Sequence, residues 1–188
     1  MGRSRTRAKA ESPTSAGSRG GRAPATTPAS SRLPRVWQGV GYRPLPDAGN
    51  ARSLFEFAAL PWPATDAIFL AWGAFAAASG GERLVGALVA DRNGSDAMVY
   101  GPVVIVETDP LEIAAQLVTA ALDDATASGI ATVFARPQGL DRVWVRYGFI
   151  PVPESTLPTG LARRPAGAGL YAWRGGSALW TLREAAPA

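Results

Sequence analysis

Apolar residues run along this chain in blocks, and the changes in their period mark its elements. Val40-Gly41-Tyr42-Arg43-Pro44-Leu45 reads as a first strand. Residues 47–60 carry Leu54, Phe55 and Phe57 and predict a short helix, closed by Pro61-Trp62-Pro63. Residues 68–78 form an apolar block whose length fits a strand or a helix alike. Ser79-Gly80-Gly81 makes a turn, and 84–90 is a strand that runs into the hairpin signal Asp91-Arg92-Asn93-Gly94. The next strand, 98–106, is broken by Gly101-Pro102. Proline cannot donate to a sheet ladder, so a bulge or splay is expected there.

The sharpest local signal follows. Asp109 suits a helix N-cap, Pro110 the first helical position, and Glu112 the place of a capping-box partner. Ala114, Leu117, Val118, Ala121, Leu122 and Ala125 then form one apolar stripe, and Ser128-Gly129 ends the helix. A strand at 130–135 completes a βαβ unit with parallel strands. Residues 138–147 predict a second short helix ended by Gly148, and 149–152 and 171–180 the closing strands. The proline- and glycine-rich stretch between these two strands reads as a mobile loop.

Composition narrows the chemistry. The 188 residues include no Cys and no His. Thiolate nucleophiles, imidazole bases and zinc sites of the usual kind are therefore excluded, and no metal is expected. Charge is uneven: residues 1–35 hold eight basic residues against one acid, Glu11, while the rest holds 11 basic and 14 acidic residues. The first 35 residues are rich in Ser, Thr, Ala, Gly, Pro and Arg and lack aromatics. Such a segment buries too little to offset its ordering entropy, so 1–35 reads as a disordered basic tail and 36–188 as one domain. Nucleic acid is a candidate partner only for that tail. The longest apolar stretch is shorter than the roughly 20 residues a bilayer requires, and no secretory leader is visible, so a cytoplasmic protein is expected.

The order is now strand, helix, hairpin, strand, long helix, strand, short helix, Gly-Phe, strand. With Val85-Gly86-Ala87-Leu88 and Tyr147-Gly148-Phe149-Ile150-Pro151-Val152, it resembles the GNAT superfamily of acyl-coenzyme A N-acyltransferases over about residues 38–180. The resemblance implies an α/β fold with a central mixed sheet flanked by helices. It also implies an acyl-coenzyme A co-substrate and an amine acceptor, either a small molecule or a peptide.

In that family the strand before the long helix pairs with the pantetheine arm, which maps the donor onto Val104, Ile105 and Val106. The following helix start receives the pyrophosphate, which maps it onto Leu111, Ile113 and Ala114. Here that turn reads Asp109-Pro110-Leu111-Glu112-Ile113-Ala114, with Glu112 and Ala114 in the family's glycine positions. The family's leaving-group acid falls at Trp144, which has no hydroxyl, so Tyr147 is the nearest candidate. Gln138 stands beside the position of a family asparagine.

Glu107, at the end of the central strand, is the candidate general base or else a solvated loop carboxylate. Tyr147 is a candidate proton donor or a packing residue. Arg142 and Arg146, four residues apart, read with Arg136 as an anion site or as an exposed face. Trp62 and Trp72 are candidates for a cleft or for the core. Two functions remain: an N-acyltransferase transferring an acyl group, most simply acetyl, or a GNAT-shaped binding module whose basic tail meets an anionic partner.

Overall fold

In the computed structural model, residues 32–63, 65–105, 109–136, 141–162 and 170–174 are described. Eight strands form one sheet: β1 (Arg35–Trp37), β2 (Val40–Pro44), β3 (Ile68–Ala78), β4 (Gly81–Asn93), β5 (Asp96–Val104), β6 (Thr132–Ala135), β7 (Ile150–Pro151) and β8 (Tyr171–Arg174). The helices are α1 (Arg52–Phe57), α2 (Pro110–Ala127), α3 (Asp141–Arg146) and α4 (Thr159–Ala162). The spatial order is β1-β2-β3-β4-β5-β6-β8-β7. Strands β1 to β5 are antiparallel neighbours, and β5 and β6 pair in parallel, as the βαβ pattern predicts. Strand β8 enters between β6 and β7.

Residues 68–78 resolve as strand. They hydrogen-bond with β2 on one side and β4 on the other, and this pairing decides what length alone left open. Strand β4 is buried on both faces, which explains its unbroken apolar run. Leu88 and Ala90 join the core beneath α2, while Ala87 and Val89 join the core that contains Phe55 of α1. The stripe on α2 faces inward as expected, with Ala114, Leu117, Val118, Ala121, Leu122 and Ala125 all buried. Gly86 lets that helix come close: a Cβ there would lie 3.2 Å from Leu117 Cδ1 and 3.1 Å from the Val103 carbonyl.

Three helices end in the same Schellman geometry. In α2 the Ile130 amide bonds to the Ala125 carbonyl, and in α3 the Phe149 amide bonds to the Trp144 carbonyl. The left-handed residues at these two ends are Gly129 (φ 77) and Gly148 (φ 82). In α1 the Leu60 amide bonds to the Phe55 carbonyl, but the left-handed position is Ala59, at φ 52.

Several expectations change. Strand β4 runs through Asn93, so Asp91 is a buried strand residue paired with Met98, and the hairpin turns at Gly94-Ser95. Trp72 is fully buried, as a core residue, and Trp62 is half-buried and packs edge-on against Phe55 with ring centroids 5.0 Å apart. The stretch read as a mobile loop contains a 3-10 turn (Glu154–Thr156) and α4, pinned by buried Leu157 and Leu161. Arg32 and Arg35, within the segment read as a tail, pair with Asp124 and Asp123 at 2.8 and 2.5 Å. The tail through residue 31, and residues 175–180 of the expected last strand, lie outside the described residues.

Candidate functional site

Strands β5 and β6 pair only from Asp96↔Thr132 to Val99↔Ala135. Beyond that point β5 continues through Val104, paired among the described residues with β4 alone. The register with β4 also shifts between Ala87 and Val89, where Gly101-Pro102 lies opposite, so the expected bulge is present. The Gly101-Pro102 peptide is cis.

The ladder decides which backbone groups face the opening. The Ile105 amide donates to the Val85 carbonyl at 2.9 Å. Hydrogen-bonded and non-hydrogen-bonded pairs alternate along an antiparallel ladder. Val104, opposite Gly86, is therefore the residue whose N–H and C=O point away from β4. Of the strand residues mapped to a donor, Val104 presents its backbone to the opening and Ile105 directs its amide the other way.

At the start of α2, Asp109 Oδ1 accepts from the Glu112 amide at 3.0 Å, so the predicted N-cap is formed. The Glu112 carboxylate turns to Gln116 (2.8 Å) and Arg146 (3.5 Å), so the expected capping box is half made. Pro110 has no N–H, and the Ile113 amide bonds within the helix to the Asp109 carbonyl. In the first turn this leaves Leu111 as the residue whose amide is still available to an anion. The Ile113 and Ala114 side chains are buried in the core.

Helix α3 packs Val143 and Trp144 inward, with Trp144 edge-on to Phe149 at 4.8 Å between centroids. Arg142 and Arg146 are exposed on its outer side, and Arg146 reaches the α2 start through Glu112. Arg136 does not join them. Its guanidinium binds Glu154 with two hydrogen bonds, one of 2.7 Å, which holds the Glu154 carboxyl below its ordinary range. The Tyr147 hydroxyl lies 2.8 Å from Thr119 Oγ1, which also contacts the Ala115 carbonyl at 2.9 Å. Glu107, Val106 and Gln138 lie outside the described residues.

Two features escaped the sequence reading. Tyr100 donates to the buried carboxylate of Asp91 at 3.1 Å, on the α1 side of the sheet. The signal was present, since Asp91 continues the alternation of Ala87 and Val89. Tyr42, read only as a strand residue, is buried and lines a cleft with Trp37, Asp109 and Glu112.

The mixed sheet with its flanking helices superposes on known structures. N-acetylglutamate synthase from Neisseria gonorrhoeae, complexed with coenzyme A and N-acetyl-glutamate, superposes over 74% of this chain with a TM-score of 0.55 and 14% identity. The GNAT family N-acetyltransferase YhbS from Escherichia coli, in complex with coenzyme A, covers 74% with a TM-score of 0.53 and 16% identity. The fold is that of the GNAT acetyltransferases. The IAA acetyltransferase of Bacillus cereus gives a TM-score of 0.51 at 14% identity over 72% of the chain. The chain covers 35% of the length of the synthase, 83% of YhbS and 99% of the Bacillus protein. No family model matches the sequence, and no curated protein does. No helix among the described residues is long and apolar enough to cross a membrane.

Proposed function

We propose that this GNAT-fold chain is an acyl-coenzyme A-dependent N-acyltransferase. It moves an acyl group, most simply acetyl, from the thioester to an amine. The neutral amine attacks the thioester carbonyl, the C–S bond breaks, and the amine proton leaves as the thiolate is protonated. The observation that supports this reading is the free flank of β5, where the N–H and C=O of Val104 face an opening that no strand among the described residues fills. An amide-containing arm laid there gains two backbone hydrogen bonds.

The phosphate end of the donor meets a different surface from the one the family pattern implies. The α2 start is acidic and retains the Leu111 amide, so the exposed guanidinium groups of Arg142 and Arg146 carry the phosphate contacts. Catalysis rests mainly on positioning and on polarisation of the thioester carbonyl, which suits a chain without His or Cys. Glu107 is the proposed base. Tyr147 serves as the acid only if its hydroxyl leaves Thr119. A coenzyme A donor fits a cytoplasmic location.

The test is thermal unfolding of the full chain with and without acetyl-coenzyme A, alongside Val104→Pro. A ligand at 100 times its dissociation constant stabilises by about 2.7 kcal/mol, a shift of several degrees. A shift in the parent that disappears in Val104→Pro supports the reading. No shift with acetyl- or longer-chain acyl-coenzyme A would sink it.

A further inference from the structure

We propose that the cleft between the β1–β2 hairpin and the first turn of α2 is a binding site for a primary alkylammonium group. The cleft encloses roughly 70 Å³ and is lined by Trp37, Gln38, Tyr42, Asp109 and Glu112, among others. Two carboxylates at a helix start are common and by themselves mean little. Tyr42 makes the difference. It is 2% exposed, its hydroxyl makes no hydrogen bond to another described residue, and it lines the cleft. The phenol is buried but its hydroxyl is not sealed from solvent, so it opens on the cleft, where a ligand donor takes the place of water.

The sign of the ligand follows from the electrostatics. Burial, with the nearby carboxylates of Glu112 and Asp109, pushes the Tyr42 phenol up to about 12. An anion would meet that same field, at a helix start whose Pro110 lacks an N–H and whose Glu112 amide is already taken. Arg146, 3.5 Å from Glu112, balances one of the two carboxylates. One negative charge is left for one positive ligand.

The class of cation follows from counting donors. A primary ammonium has three N–H groups. The cleft offers three acceptors: Asp109, whose Oδ1 serves the cap and whose Oδ2 remains, Glu112, and the Tyr42 hydroxyl. A quaternary ammonium has no N–H and leaves the phenol unpaired. A hard divalent cation takes about six oxygens, more than this cleft supplies. The cleft has room for a terminal –CH₂–NH₃⁺. The rest of the alkyl chain leaves across the Trp37 indole, which is 49% exposed and suited to methylene and cation–π contact. Tyr42 lies on β2, three strands from β5, or about 14 Å at ordinary strand spacing. The cleft is thus distinct from the β5 opening, although it shares the α2 start and the Glu112–Arg146 pair with the surface proposed for the donor phosphates.

The test is an NMR titration of the full chain with n-butylammonium chloride, following the indole N–H of Trp37, assigned with Trp37→Phe. Butanol and sodium chloride serve as controls for the apolar and ionic parts of the probe. A saturable shift in the millimolar range is expected. It weakens about tenfold in Tyr42→Phe and in Asp109→Asn, each of which removes one acceptor from the ammonium. Phe keeps the buried ring and Asn keeps the helix cap, and thermal unfolding confirms that both variants fold. The proposal is overturned by the absence of a saturable shift, by one that butanol or sodium reproduces, or by unchanged affinity in both variants.

Discussion

Trp72 and Asp124 stand 52 positions apart, yet the indole Nε1 donates to Asp124 Oδ2 at 3.1 Å inside the protein. The other oxygen of Asp124 accepts from Arg32 Nε at 2.8 Å and contacts the Ser128 hydroxyl at 3.4 Å. This carboxylate sits in the last turn of α2, where the helix dipole disfavours an anion. Its tryptophan and arginine partners offset that cost and tie the first described residue to the core.

Asp124→Ala leaves a buried indole N–H and a guanidinium without their acceptor. It should cost about 3 kcal/mol, read from urea unfolding. Arg32 is more than half exposed, so Arg32→Ala should cost about 1 kcal/mol or less. Equal losses in the two variants would mean that the arginine, not the indole, is the main partner.

Ala59 holds the left-handed position that Gly129 and Gly148 hold in the other two Schellman ends. Its side chain is exposed and makes no packing contribution that glycine would lose. Ala59→Gly should therefore stabilise the domain by about 0.5–1 kcal/mol, or a few degrees in Tm. A lowered Tm would show that the α1 end is not strained.

Tyr42 should titrate above the ordinary range of a phenol. Its folded pKa of about 12 lies above the ordinary value of 10.0, because burial and then the Glu112 and Asp109 charges oppose the phenolate. Its contribution to stability is full below about pH 10 and is lost as pH rises towards 12. Ultraviolet titration should show a late component that is lost in Tyr42→Phe, and that variant should lose less stability across this window.

The Glu154 carboxyl is held below its ordinary range by the Arg136 hydrogen bonds. A depressed acid stabilises above its unfolded pKa, near 4.5, and loses that contribution as pH falls through the folded value. Glu154→Gln should therefore flatten the acid limb of the stability curve and leave the neutral plateau slightly lower. An unchanged acid limb would place the pair among surface bridges of no consequence.

If Arg142 and Arg146 read the donor phosphates, Arg142→Ala should weaken acetyl-coenzyme A by about tenfold without altering the unliganded Tm. The same variant should leave Trp37 titration with butylammonium unchanged, because Arg142 does not line that cleft. Loss of both would point to a general fault in the α2–α3 contact.

The βαβ unit, the capped α2 and its inward stripe were legible in the sequence because each depends on local rules. Cap chemistry, helical period and glycine at a left-handed stop act within a few residues. The same local logic left 68–78 undecided, since only its two hydrogen-bonded neighbours make that apolar run a strand. It also misread 153–162, where prolines signalled a loop but long-range burial of Leu157 and Leu161 anchors the segment. On the candidate site, sequence placed the strand and its break at Gly101-Pro102, and the ladder alone showed that Val104 faces the opening while Ile105 does not. Tyr42 carried no signal in its own strand. Its meaning comes from Asp109 and Glu112, more than 60 residues away, which packing of α2 against β2 brings into one cleft. Local order follows from backbone preference, whereas a site is a meeting of distant side chains, and only the folded chain brings them together.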